Sequence, residues 1–227
     1  MQGKVFKYGI KVAKRGELKF LSHLDWQNLI IKTLRRCGLD LVLTEGFNKI
    51  PKTSFSPALP IFIESECELV YFQTKEPLPS NFGEIFAKST NKNVVLLECY
   101  DFTNLPKQEA LDIKIQWASY VAKLICNKNE SILNSEKILY NIEKCLSSDE
   151  LLIEKKTKKG INKVVNYRKS INSIEFVDNE LKFVLKAGQD EQIPALRADE
   201  FLRVVFGIEN LFEIKRLCFF DKEMKVL

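Results

Sequence analysis

A single histidine, His23, stands between Ser22 and Leu24, two residues before Asp25. An imidazole in the first turn of a helix suits general acid–base work or contact with a phosphate, because backbone amides point outward there. The plainer reading is a polar residue in a capped turn, satisfied by the backbone. One histidine supplies no metal site by itself. Ser22, Ser54 and Ser56 act as nucleophiles only with a base beside them, and His23 is the one histidine on offer. Glu64, Glu66 and Glu68 follow at a spacing of two, which places three carboxylates on one strand face. They suit a divalent ion or, more simply, a solvated face with ion pairs to lysines. Cys37, Cys67, Cys99, Cys126, Cys145 and Cys218 lie far apart, so close-paired zinc or iron–sulfur ligation is not written here. They read as reduced, mostly buried thiols. No cofactor or metal is expected on this chain.

The cations are more informative than the nucleophiles. Net charge is only +5, yet residues 1–60 carry eleven Lys/Arg against four Asp/Glu. Residues 155–171 carry Lys155, Lys156, Lys158, Lys159, Lys163, Arg168 and Lys169 with no acid. Two basic regions inside a near-neutral average are the footprint of a polyanion partner. Lys32, Arg35, Arg36, Lys49 and Lys52 form one basic surface if the loop after the first helix folds over it. Phe47 and Phe55 would then stack on bases if exposed, and are otherwise core. The hairpin from Lys155 to Lys169 is the second candidate contact with RNA or DNA. Its alternative is a charged edge that prevents aggregation.

These residues need elements to hold them. Phe6, Tyr8, Ile10 and Val12 alternate with Lys7, Gly9 and Lys11 as a strand does. Ser22 with Asp25 three residues on resembles a capping box, and Trp26, Leu29, Ile30, Thr33, Leu34 and Cys37 form the buried stripe of a helix stopped at Gly38. The segment 54–60 holds two prolines and is at best an edge strand. A strand over 61–72, a short helix over 82–88 and a strand over 94–100 complete the order βαββαβ, a ferredoxin-like pattern over residues 1–103. The second half, 110–227, repeats it degenerately. Its expected elements are a strand over 111–117, a Ser135-capped helix with stripe Ile138, Leu139, Ile142 and Leu146, two strands around Lys158-Lys159-Gly160, a hairpin turning at Asp178-Asn179, a helix over 198–206 and a strand over 212–220. The fold class is therefore α+β, with two ferredoxin-like halves.

Composition fits a globular protein: 45% hydrophobic residues provide a core, and 29% charged residues argue against disorder. The N-terminus lacks the apolar stretch of a secretion signal, and apolar runs fall short of the roughly 18–20 residues of a membrane span. A soluble cytoplasmic protein with no membrane partner is expected.

One block then stands out by its order: Phe20-Leu21-Ser22-His23-Leu24-Asp25, Leu34-Arg35-Arg36-Cys37-Gly38-Leu39, Gly46-Phe47-Asn48, Pro51-Lys52, Phe55-Ser56-Pro57-Ala58-Leu59-Pro60, Glu64-Ser65 and Glu68. It resembles the radical SAM-linked proteins, a bacterial family of unknown function. The resemblance implies a partner enzyme of the radical SAM type with a B12-type domain, which would carry the iron–sulfur cluster and S-adenosylmethionine. In that family a histidine follows the Gly-Phe pair; here Asn48 is followed by Lys49-Ile50-Pro51. The expected function is a non-catalytic accessory that binds RNA, docks to that enzyme, or both, in RNA modification or processing. Two alternatives stand beside it. One is a metal-independent RNA-processing enzyme using His23, since paired ferredoxin-like domains with a helix-1 histidine resemble the repeat-associated RNA endonucleases. The other is a pure protein-interaction module.

Overall fold

Ten strands and four α-helices are seen among the described residues of the computed structural model, which are 4–104, 114–124, 135–156, 160, 162–190, 192–207 and 212–227. The chain is α+β and divides into two compact units, residues 1–115 with Leu227, and residues 116–226.

In the first unit the elements are β1 (Phe6–Lys14), α1 (His23–Arg36), β2 (Thr53–Phe55), β3 (Ile63–Thr74), α2 (Phe82–Ser89) and β4 (Val94–Asp101). β1 lies between β3 and β4, and β2 pairs with the outer side of β3; every pairing is antiparallel. Tyr8, Ile10 and Val12 point one way from β1 and meet Trp26, Ile30 and Leu34 of α1, Val70 and Phe72 of β3, and Phe82 and Phe86 of α2 in one core. The alternation of β1 and the stripe of α1 are thus the two halves of a single interior. Ser22 caps α1: its hydroxyl accepts from the Asp25 backbone amide at 3.2 Å and donates to Asp25 Oδ2 at 2.6 Å. Gly38 ends the helix with φ +76°, a left-handed conformation that favours glycine.

In the second unit come β5 (Trp117–Leu124), α3 (Ser135–Ser147), β6 (Leu152–Lys156), β7 (Asn162–Asn166), β8 (Ile171–Val177), β9 (Glu180–Lys186), α4 (Ala198–Phe206) and β10 (Phe212–Phe220). β5 lies between β10 and β9, and β9 pairs with β8, all antiparallel. Among the described residues β6 and β7 form a two-stranded sheet of their own. Asp178 and Asn179, at φ +55° and +62°, form the two-residue turn between β8 and β9. A chain of rings, Tyr120–Phe183–Phe201, with centroids 5.3 and 4.8 Å apart, ties β5 and β9 to α4.

Three local expectations change. The strand placed over 111–117 begins at Trp117; residues 111–113 lie outside the described residues, and Lys114–Gln116 are not strand. Ser135 is the first residue of α3 and not its cap. Along α3 the buried residues are Ile138, Ile142 and Cys145, while Leu139 and Leu146 are exposed, so the buried stripe lies one position away from the leucines. No helix among the described residues is long and apolar enough to cross a membrane.

Candidate nucleic-acid interface

The family-like block divides between the two ends of α1. At the amino end stand Ser22, His23 and Asp25, with the ends of β1 and β2 and the start of β3. A Gln27 side-chain nitrogen meets His23 Nε2 at 2.9 Å; an amide nitrogen only donates, so Nε2 accepts in this arrangement. The imidazole stands edge-on to Phe55, ring centroids 6.5 Å apart. Behind it the interior is polar. Lys14 is 1% exposed, and its ammonium donates to the Leu21 carbonyl at 3.0 Å and lies 5.7 Å from the centre of the Trp26 ring. Glu68 is also 1% exposed and accepts from Ser56 Oγ at 3.2 Å. Ser56 Oγ in turn accepts from the Leu69 amide, so this hydroxyl latches the edge segment to β3. Ser65 accepts from the Cys67 amide at 3.2 Å, and Pro57 is half-buried.

The three glutamates do not share a face. Val12 pairs with Glu68, but Lys14 pairs with Ser65, so one extra residue of β3 bulges out between them. Glu68 keeps step with Val70 and Phe72 on the core side, paired with Val12, and the bulge puts Glu64 and Glu66 out of that phase. Glu64 and Glu66 stay half-buried at the rim. There Glu64 accepts from the Gly16 amide at 2.7 Å, and Glu66 takes a bidentate pair with Arg15, the shorter arm being 2.6 Å. Two structural contacts therefore account for carboxylates that suited a divalent ion, and no metal-sized cluster forms among the described residues.

The carboxyl end of α1 is cationic. Lys32, Arg35 and Arg36 are exposed at helical spacing. His23 and Arg36 are thirteen steps apart in the helix, about 20 Å at 1.5 Å per residue. The loop that follows starts at this same end, where Leu41 bridges Thr74, the last residue of β3, and the Val42 amide donates to the Gln73 carbonyl. It is closed at its base by the Leu43–Pro51 bridge and by the Lys52 amide on the Val42 carbonyl at 2.7 Å. Between them Gly46, Asn48 and Lys49 are exposed, and Phe47 is as open as a side chain can be, 104% of its reference area. Lys52 is half-buried. None of these five cations is held by a carboxylate among the described residues.

In the second unit the basic segment is partly structural. Lys155 pairs with Glu200 of α4 at 2.9 Å and lies 4.5 Å over the Tyr167 ring. Burial alone would lower this ammonium, but hydrogen bonds to Tyr167 and Glu200 hold it above the ordinary lysine value. Arg168 donates to the carbonyls of Leu146 and Ser148, both at 3.1 Å, and so closes the end of α3. Lys156, Lys163 and Lys169 are exposed; Lys158 and Lys159 lie outside the described residues. Lys163 stands directly opposite Lys155 in the hairpin, on the same face.

Two lysines are buried, and residue type alone does not mark them. Lys14 continues the inward series Tyr8, Ile10, Val12, and that period is the signal that was available. Lys186, 3% exposed, donates to Gln116 Oε1 at 2.6 Å and Asp190 Oδ2 at 2.9 Å and lies 5.2 Å over the Trp117 ring. The lysine and two amides, of Gln192 and Ile193, hold the Asp190 carboxyl down at about 2.

No curated protein matches the chain. A family described as "Uncharacterized protein conserved in bacteria (DUF2344)" matches residues 7–195, from the first strand through the loop before α4. That span includes both ends of α1, the buried Lys14 and Glu68, and the β6–β7 hairpin, and on it the chain belongs to the DUF2344 family of uncharacterized bacterial proteins.

Proposed function

We propose that the protein is a non-catalytic RNA-binding accessory, and that the carboxyl end of α1 with the 43–52 loop is its RNA surface. The observation that carries this is Phe47: a bare aromatic ring beside Lys49, on a loop that starts where Lys32, Arg35 and Arg36 leave the helix. Cations take phosphates and release their counterions, and an exposed ring offers a stacking face to a base. The distance of about 20 Å from His23 favours binding over histidine chemistry, because the imidazole would not meet a phosphate held at the cationic end.

Both units are read as ferredoxin-like. What supports this is the shared neighbour order, β4-β1-β3-β2 in one and β10-β5-β9-β8 in the other, with β6–β7 as an insertion in the second. Docking to a radical SAM enzyme is the second reading. It rests on the resemblance of the Phe20–Glu68 block and on the exposed apolar side chains at the amino end of α1. There Phe20 and Phe62, 54% and 59% exposed, meet edge to face at 5.5 Å, and Leu24 is 65% exposed. On this reading the enzyme holds the cluster and S-adenosylmethionine, and this chain brings the RNA.

The test is an RNA titration of the purified protein at several salt concentrations. Affinity that falls linearly with log salt supports the proposal; absence of salt-dependent affinity sinks it.

A further inference from the structure

The face of the unit 1 sheet that points away from α1 and α2 carries a row of rings. Gly9 of β1 pairs with Tyr71 of β3 on one side and Tyr100 of β4 on the other. Directly paired residues project to the same face, and the neighbours of Gly9, Tyr8 and Ile10, lie in the helix-side core. Tyr71 and Tyr100 therefore project to the side away from α1 and α2. Phe102, one residue past β4, fills the place between them, with ring centroids 6.0 Å from Tyr71 and 5.9 Å from Tyr100 and ring planes within 33° and 23° of parallel.

Gly9 makes the row possible. A Cβ built there would stand 2.6 Å from Phe102 Cε2, so any other residue would push the ring off the sheet. A glycine inside a strand gives up side-chain packing and marks a close approach; here the approach is that of an aromatic ring. Lys7 and Lys11 sit two residues to either side of Gly9 on the same face. Lys11 pairs with Glu98 at 3.2 Å, while Lys7 is held by no carboxylate among the described residues. Burial, reinforced by the neighbouring Glu98, pushes the Tyr100 hydroxyl up, so it stays a protonated donor to that carboxylate. Both tyrosines are half-buried and keep part of their surface open, whereas Phe102 beneath them is 9% exposed.

We infer that Tyr71 and Tyr100, propped by Phe102, form a stacking platform for the bases of single-stranded RNA, with Lys7 beside it for a phosphate. This rests on the RNA-binding reading above. A duplex keeps its base faces stacked on one another, so only an unpaired strand presents them to rings. Tyr71 on β3 and Tyr100 on β4 flank Phe102 across β1, and their open surfaces would receive successive bases. The row occupies the amino-terminal half of β1 and the carboxyl-terminal half of β3, the same end of the unit as Lys49 and Phe47.

Fluorescence anisotropy with labelled oligouridine and with a labelled RNA duplex of equal length tests it. Wild type should prefer the single strand. Tyr71→Leu and Tyr100→Leu should each weaken oligouridine binding by about ten-fold without changing the salt slope, while Tyr71→Phe keeps the affinity. Leu variants that melt like wild type and bind oligouridine like wild type overturn the platform and leave the RNA reading standing. A wild-type protein that binds neither RNA overturns both. A second readout does not depend on how well the variants fold: crosslinking wild type to thiouridine-containing oligouridine should yield adducts on Tyr71 or Tyr100. Adducts confined to the 43–52 loop or to the β6–β7 hairpin overturn the platform.

Discussion

Arg168 donates to the carbonyl oxygen of Leu146, 22 residues earlier, at 3.1 Å, and this contact ends α3. A guanidinium at a helix carboxyl terminus satisfies carbonyls that have no partner inside the helix and complements the helix dipole. Arg168→Ala should therefore lower stability by about 1–2 kcal/mol, read in a urea melt, and leave the salt dependence of RNA binding unchanged. A loss of salt slope with unchanged stability would mean that Arg168 faces a phosphate instead.

The cations of α1 should behave in the opposite way. Lys32→Gln and Arg35→Gln each remove one exposed charge, so each should reduce the slope of log affinity against log salt by about 1, with melting little changed. Lys155→Gln, whose ammonium is held by Glu200, should leave the slope alone and loosen the hairpin from α4.

Phe47 makes no packing contribution that its exposure would allow. Phe47→Ser should change stability by no more than about 0.5 kcal/mol and weaken RNA binding about ten-fold. Thermal melting and anisotropy on the same preparation check both halves of the statement.

Lys14→Leu should destabilise the first unit by roughly 1–3 kcal/mol, because the Leu21 carbonyl loses its buried donor. Equilibrium urea unfolding measures it. A neutral result would show that water reaches Leu21 once the lysine is gone.

Asp190 gives a prediction for acid. Its carboxyl lies below the ordinary 3.8, at about 2, when folded. A depressed carboxyl contributes stability that is present above the unfolded value and is lost as pH falls through the folded one. The second unit should thus lose part of its stability between about pH 4 and about pH 2, and Asp190→Asn should flatten that part of the profile. Urea midpoints across this range decide it.

Much of the local structure was legible because it is signalled locally. Ser22, Asp25 and Gly38 bracket α1, and Asp178-Asn179 marks its own turn. What escaped depends on partners distant in sequence. Glu64 and Glu66 part from Glu68 because of a bulge, and a bulge exists only relative to β1. Arg168 counted as one more free cation until the end of α3 came to lie beside it. Leu139 and Leu146 are more hydrophobic than Cys145, yet the neighbours of α3 bury the cysteine. Of the site, the α1 cations and Phe47 were legible as residue types, as one surface only on the condition that the loop folds over the helix. The separation of His23 from them was not, since it requires knowing on which side of the helix the loop returns. Lys14 needed only one more step of a period already seen in β1.

The central position of β1 and β5 also orders events during synthesis. Each is made first in its unit and each must wait for both neighbours: Ser119 of β5 meets Cys218 of β10 at 3.0 Å, 99 residues later. At roughly 5–20 residues per second, the strand that closes the second sheet emerges several seconds after the one it encloses. Until β9 is made β5 has two unpaired edges, and one edge waits for β10; pairing across so long a loop is slow. The β6–β7 hairpin, made of near neighbours and bristling with lysine, is complete well before then. A nascent chain held at this stage would already display cations while its second sheet was still open.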